Sequence, residues 1–157
     1  MIRPATEADL PRILQIYASA RSFMARSGNP TQWGDRFPLP QWLEEDIRLR
    51  RLYAVEADGR LCGCFMLCGG PDPTYAVIDG SWGKDAPYGV LHRVASDGTQ
   101  RGIVSACVAF ASQRYDYLRI DTHTHNKPMQ AALAREGFVY RGIITAHDGT
   151  PRMAYDK

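Results

Sequence analysis

His92-Arg93-Val94-Ala95-Ser96-Asp97-Gly98-Thr99-Gln100-Arg101-Gly102-Ile103-Val104-Ser105-Ala106-Cys107 is the stretch on which the reading of this chain turns. Its first residues close an apolar run, Tyr88–Ala95, that reads as a strand, and Asp97-Gly98-Thr99 reads as a turn. Beyond it, Ile103, Ala106, Cys107, Phe110 and Ala111 recur at helical spacing, so Ile103–Arg114 is expected to be a helix with one buried face despite its β-branched valines. A strand, a polar turn, Arg101-Gly102 and a helix form an arrangement suited to phosphate. The first helical N–H groups have no internal partner, the helix dipole favours an anion there, and Gly102 removes a side chain from the approach. An ordinary turn before a helix has the same look, so the rest of the chain must decide.

Downstream, Tyr117–Thr122 reads as a strand, Asn126 as a helix cap with Pro128 in the first turn, and Gly137 as the helix stop. Phe138–Ile144 and Arg152–Tyr155 then read as strands around the turn His147-Asp148-Gly149-Thr150. Upstream, a short strand Ile2–Ala5 leads to Thr6, a cap with Asp9 three residues on. Leu10, Ile13, Leu14, Tyr17 and Ala18 line one face of the helix that follows. Ser27-Gly28-Asn29-Pro30 ends it, and a second helix starts near Gln41 with Leu43 and Ile47 on one side. Leu52–Ala57 and Leu61–Cys68 form a hairpin through Asp58-Gly59, and Gly69-Gly70-Pro71-Asp72-Pro73 turns the chain toward a strand at Tyr75–Asp79. Hairpins mixed with two strand-helix-strand crossovers imply a mixed sheet covered by helices.

The 157 residues suit one domain, 1–157, with 45% apolar and 23% charged residues, a composition of compact globular chains. No apolar run approaches the roughly 18 residues of a membrane span, and Met1-Ile2-Arg3-Pro4 has no hydrophobic signal region. A cytoplasmic location without membrane association is expected. The net charge of +2 and the lack of a basic stretch with interleaved aromatics give nucleic acid little support, and no nucleic-acid partner is expected. Arg48, Arg50 and Arg51 are the densest cationic cluster, and Glu44 and Asp46, four residues before Arg48 and Arg50, suggest a solvated helix face. Cys62, Cys64, Cys68 and Cys107 have neither zinc nor redox spacing, so reduced thiols are expected.

With these elements in place, the sequence resembles the GNAT superfamily of acyl-CoA-dependent N-acyltransferases over nearly its full length. The family's phosphate motif is Arg or Gln, two residues, Gly, one residue, then Gly or Ala. Arg101-Gly102-Ile103-Val104-Ser105-Ala106 fits it at both ends, with Val104 in place of the usual first glycine. Leu118-Arg119-Ile120-Asp121 is similar to the fifth family strand, Asn126 to the residue that opens the next helix beside the cofactor, and Glu136-Gly137-Phe138 to the familiar helix-to-strand ending. The resemblance implies an α/β (α+β) fold, with a mixed, mostly antiparallel sheet of six to seven strands flanked by about four helices. It implies acetyl-CoA as cosubstrate, held by main-chain groups of Val94 and Ser96 along pantetheine, and by Arg101, Gly102, Ile103, Val104, Ser105 and Asn126. A catalytically weakened acyl-CoA-binding or sensing module is the alternative, because Leu133 stands where many members place a tyrosine that protonates the leaving thiolate. Tyr140, Ser105, Cys107 or solvent would have to replace it, and a thiolate comparable to cysteine, with an aqueous pKa near 8.5, also leaves fairly well unprotonated.

Acyl transfer to an amine needs that amine uncharged, so a base near the thioester is the main requirement. His92 is the first candidate: it stands two residues before Val94, on one face with Val90, and imidazole suits proton uptake at neutral pH. Asp121 is placed to orient His92 or to bind a substrate ammonium. Asp121, His123 and His125 alternate as metal ligands would, but no fourth ligand is evident and no metal is expected. Among the aromatic residues near the acceptor end, Trp33, Phe37, Trp42 and Trp82, only Trp33 is assigned to substrate, since it lies in the Gly- and Pro-punctuated segment between the first two helices. The expected partner is a small-molecule or peptide amine, and a homodimer is compatible with the sequence.

Overall fold

A computed structural model describes residues 1–157 as one eight-stranded sheet with four α-helices. The elements are β1 (Ile2–Pro4), α1 (Leu10–Arg26), α2 (Pro40–Arg48), β2 (Leu52–Ala57), β3 (Arg60–Gly69), β4 (Asp79–Gly80), β5 (Gly89–Ser96), α3 (Ile103–Ser112), β6 (Leu118–Thr122), α4 (Lys127–Arg135), β7 (Val139–Thr145) and β8 (Pro151–Asp156). Their order across the sheet is β1-β2-β3-β5-β6-β8-β7-β4. Every neighbouring pair is antiparallel except β5 and β6, which are joined through α3 by the crossover that parallel strands require. The expected strand at Tyr75–Asp79 is largely replaced. Pro73–Tyr75 forms a 3-10 turn capped by the Asp72 carboxylate, and only Asp79 and Gly80 pair, with β7. The remaining elements follow the periodicity, including the Asp58-Gly59 turn, where both residues take the left-handed φ values, 52° and 70°, that a two-residue hairpin needs.

Both faces of the sheet are covered, which explains why β3 is buried almost throughout and reads as an unbroken apolar run. Successive residues of β3 alternate between two cores. Cys64 and Met66 join Ile13, Ile16, Tyr17, Leu43 and Ile47 beneath α1 and α2, whereas Phe65 and Leu67 join Cys107, Val108, Ala111 and Leu133 beneath α3 and α4. Gly63 lets the first turn of α3 approach β3, since a Cβ there would lie 3.0 Å from both the Ala95 carbonyl and the Ile103 side chain. That packing fixes the end of α3 that matters for anion binding.

Ion pairs tie the edges together. Arg3 grips Asp9 through two bonds of 2.8 and 2.9 Å, and Asp9 also receives the Thr6 N–H in the capping arrangement the sequence suggests. The Arg3 bond, opposed by burial and supported by Thr6, holds the Asp9 carboxyl well below its ordinary 3.8. Burial opposes ionisation of Asp72 too, but bonds from His92 and Thr74 outweigh it and its carboxyl is also depressed. Groups that ionise more readily folded than unfolded contribute fully above the ordinary aspartate value, and that contribution is lost as pH falls below it. The urea midpoint is therefore expected to hold steady from about pH 8 to about pH 6 and to fall between about pH 4 and about pH 3. A midpoint insensitive to that last step would contradict the pairing.

Candidate active site

The β5–β6 pair is joined only at its start. Register runs Gly89 to Leu118 and Val90 to Arg119 and then stops, although β5 continues to Ser96 and β6 to Thr122. The two strands part beyond that point, leaving an interior sheet edge unpaired, a rare arrangement because main-chain N–H and C=O groups demand partners. A cavity of about 750 Å³ fills the parting and is bordered by His92, Val94, Asp121, Thr122 and Asn126, with Trp33, Phe37 and Trp42 at its outer end. Thr122 Oγ1 is buried there without a hydrogen-bond partner.

A bulge sets the direction of β5. Arg93 takes φ 53°, and the register with β3 shifts between Cys64 and Met66, so the simple alternation expected for His92, Val94 and Ser96 fails. His92 does keep the register row next to Val90 and turns toward Asp72 and Asp121, while Val94 packs with the α3–α4 core. The bulge is pinned by two bonds: the Tyr17 hydroxyl donates to the Arg93 carbonyl at 2.7 Å, and the Arg93 guanidinium donates to the buried Asp46 carboxylate.

His92 Nε2 lies 2.8 Å from Asp72 Oδ2, and Nδ1 lies 3.8 Å from Asp121 Oδ2. An ionised carboxylate only accepts, so Nε2 carries the hydrogen toward Asp72 and the Nδ1 lone pair is left beside Asp121. The orienting carboxylate is thus Asp72 and not Asp121, which corrects the sequence reading of 69–73 as a plain turn. Asp121 accepts instead from the Tyr75 hydroxyl at 2.7 Å. An aspartate between two prolines that caps a following turn was the available signal. Nothing in the sequence, however, showed that the turn folds back over β5.

At the other end, Gly102 adopts φ 76° and leaves open space where a side chain would be. The N–H groups of Gly102, Ile103, Val104 and Ser105 have no protein acceptor, and the helix end is not plugged. Arg101 is exposed and makes no ion pair, Ile103 is buried in the core, and Val104 packs against that core, so its side chain stays clear of the amides. The Ser105 hydroxyl donates to Glu136, leaving its N–H as the group available to a phosphate. Ser96 holds the turn through its hydroxyl, which accepts the Gly98 N–H at 3.0 Å. These residues fit an extended ligand whose anionic end meets the amides of α3 and whose arm follows β5, although the lining of the large cavity itself reaches only to Val94.

Asn126 caps α4 by accepting the Met129 N–H at 3.2 Å and donates to Gln32 Oε1 at 3.1 Å. Gln32 also takes a bond from Asn29, and Arg152 reaches the Gln32 carbonyl, so the segment carrying Trp33 is strapped across the mouth. Gln32 was not found from sequence, because a glutamine in a loop has no pattern of its own. Trp33, Phe37 and Trp42 border the cavity, whereas Trp82 stands elsewhere, its ring 4.1 Å from the Arg119 guanidinium.

Other expectations do not converge here. Tyr140 is exposed on β7 against Tyr155 and does not border the cavity, because the partner strand β8 separates β7 from β6; it is removed as a proton donor. Leu133 and Cys107 are fully buried, and burial pushes the Cys107 thiol far up. His123 Nδ1 accepts the His125 N–H at 3.0 Å, and no group of three or more His, Cys, Asp or Glu side chains is placed to hold a metal. The arginine cluster after α2 is only partly a solvated face. Arg48 pairs with Glu45 on the surface, but Arg51 turns inward to Asp46.

No family model matches the sequence, and no curated protein matches it. Solved structures do. An acetyltransferase of the GNAT family from Streptococcus agalactiae is 28% identical, with a TM-score of 0.90 over 100% of this chain and 94% of its own. A GNAT-family acetyltransferase from Listeria monocytogenes is 20% identical, with a TM-score of 0.71 over 100% and 93% of the two chains. The ribosomal-protein-alanine N-acetyltransferase of Brucella melitensis is 22% identical, with a TM-score of 0.64 over 100% and 98%. The last two are similar in fold alone, and no helix of this chain is long and apolar enough to cross a membrane. With its parted strands and full-length likeness to these proteins, the chain has the fold of the GNAT-family acetyltransferases.

Proposed function

We propose that this chain moves an acetyl group from acetyl-CoA to a primary amine by direct attack in a ternary complex. The observation that carries the reading is the parting of β5 from β6 around a cavity in which His92, backed by Asp72, presents its Nδ1 lone pair. Acetyl-CoA supplies the activated acetyl group. Gly102 to Ser105 would hold its diphosphate through main-chain N–H groups, and the unpaired edge of β5 around Val94 would hold its arm. Asp121 draws a substrate ammonium to the mouth, and His92 Nδ1 takes the proton that the nitrogen must lose before its lone pair can form the new C–N bond. The C–S bond breaks as that bond forms, the acylated nitrogen gives its second proton to solvent, and the sulfur takes a proton from solvent, since no tyrosine or free thiol borders the cavity apart from half-buried Cys68. The Brucella neighbour is named for N-acetylation of a ribosomal-protein alanine, an amine acceptor with the same chemical requirement.

A CoA-binding module without turnover is the second reading, supported by Leu133 lying in the core where a donor would be needed. Free thiol release from acetyl-CoA across a panel of primary amines separates the two. Release with at least one amine is expected; tight CoA binding without release for any amine would favour the module. In the same preparation, Cys68 should be the first cysteine alkylated by iodoacetamide and CoA should slow it. Burial pushes the Cys64 thiol up to about 12, and Cys62 and Cys107 are also buried.

A further inference from the structure

Two guanidinium groups share one carboxylate at the outer end of the cavity. Arg51 Nε donates to Asp46 Oδ1 at 2.6 Å, and Arg93 donates to Asp46 Oδ2. Asp46 is fully buried, while the two guanidinium groups stay partly exposed. Both terminal nitrogens of Arg51, and Nε and Nη2 of Arg93, have no protein acceptor, and both residues border the cavity. Glu45 stands nearby, but its two oxygens are taken by Arg48 at 2.6 and 2.8 Å on the surface. This end therefore keeps one uncompensated positive charge. The other end is negative, with Asp72 and Asp121 around His92.

The sheet register sets the span. Leu52, Met66 and His92 form one row across β2, β3 and β5, and Arg51 immediately precedes that row. Two strand spacings, about 10 Å, separate the backbones at its ends, and both side chains border the one cavity. Cys68 and Met66 form the floor between them, and Phe37 and Trp42, stacked at 5.2 Å, form a wall. A planar fork with free N–H groups is the preferred partner of a carboxylate, and one net charge matches a monoanion.

We propose that the acceptor amine carries a carboxylate, as an amino acid or short peptide does, with the carboxylate on Arg51 and Arg93 and the amine between His92 Nδ1 and Asp121. The proposal deepens the acetyl-transfer reading and rests on it for the amine end only. The carboxylate end can be read without turnover.

The test compares 4-aminobutanoate, L-alanine, L-lysine and glycylglycine with the carboxamide of each. Thiol release should favour the acids over their amides by about tenfold or more in kcat/KM, chiefly through KM, as expected for a charge-assisted bidentate contact. Arg51→Gln should bring that ratio close to one, and Arg51→Lys, which keeps the charge without the fork, should leave an intermediate ratio. Calorimetric titration of the same acids and amides into the protein with CoA repeats the comparison without chemistry. Equal acid and amide values in both measurements would overturn the carboxylate site and leave acetyl transfer standing. Tighter acid binding with no release from any amine would overturn the transferase reading and leave the carboxylate site standing.

Discussion

Replacing His92 with alanine is expected to lower kcat/KM for acetyl transfer by about 10²- to 10⁴-fold, the range associated with a positioned general base. The expectation follows from which nitrogen is free. Asp72 holds Nε2 at 2.8 Å, so Nδ1 is the only basic atom the ring can offer to the cavity. Removing the ring leaves Asp72 and Asp121 close together without the group between them, and neither is a strong enough base to deprotonate an ammonium at neutral pH. A purely structural role would also reduce activity, so rescue is the informative readout. Added imidazole should restore part of the lost rate in the alanine variant while acetyl-CoA KM stays within about twofold of the parent, since no binding group for the cosubstrate is changed. Asp72→Asn should retain a larger fraction of activity than His92→Ala, because it orients the ring without taking the proton. A His92→Ala enzyme within about threefold of the parent at neutral pH would remove His92 from the chemistry.

The second large effect is on stability and concerns Asp46. Asp46→Ala is expected to cost about 3–5 kcal/mol, because it leaves two guanidinium groups beside one another with their shared carboxylate gone. Asp46 is fully buried and bonds to both Arg51 and Arg93. Three segments meet at this carboxylate: α2 contributes it, Arg51 immediately precedes β2, and Arg93 is the bulge of β5. The variant should therefore lose activity at temperatures where it is still folded, since the bulge that turns β5 toward the cavity would be held only by the Tyr17 bond to the Arg93 carbonyl. Urea unfolding monitored by tryptophan fluorescence gives the first number, and a loss below about 1 kcal/mol would show that the cluster is not the keystone argued for it.

Periodicity and turn chemistry made most of the fold legible. Helical spacing located α1 and α3, the Asn126 cap and the Gly137 stop located α4, Asp58-Gly59 located the first hairpin, and Gly102 before Ile103 located the open helix end, all from residues within a few positions of one another. His92 was legible for the same reason: it lies in the strand that runs into that helix. What sequence could not determine is how distant segments fold onto this strand. Asp72 was a turn residue until the loop after β3 brought it against His92. Arg51 belonged to a surface cluster until Asp46 drew it inward, and Arg93 reversed the alternation of β5 by forming a bulge. Tyr140 is one of the groups that could stand in for the missing tyrosine, and the insertion of β8 between β6 and β7 removes it. Local structure depends on backbone preferences that each short stretch carries in itself, so the chain's own letters determined it. Which charge meets which carboxylate depends on desolvation and geometry across tens of residues, and only the packed sheet decided that.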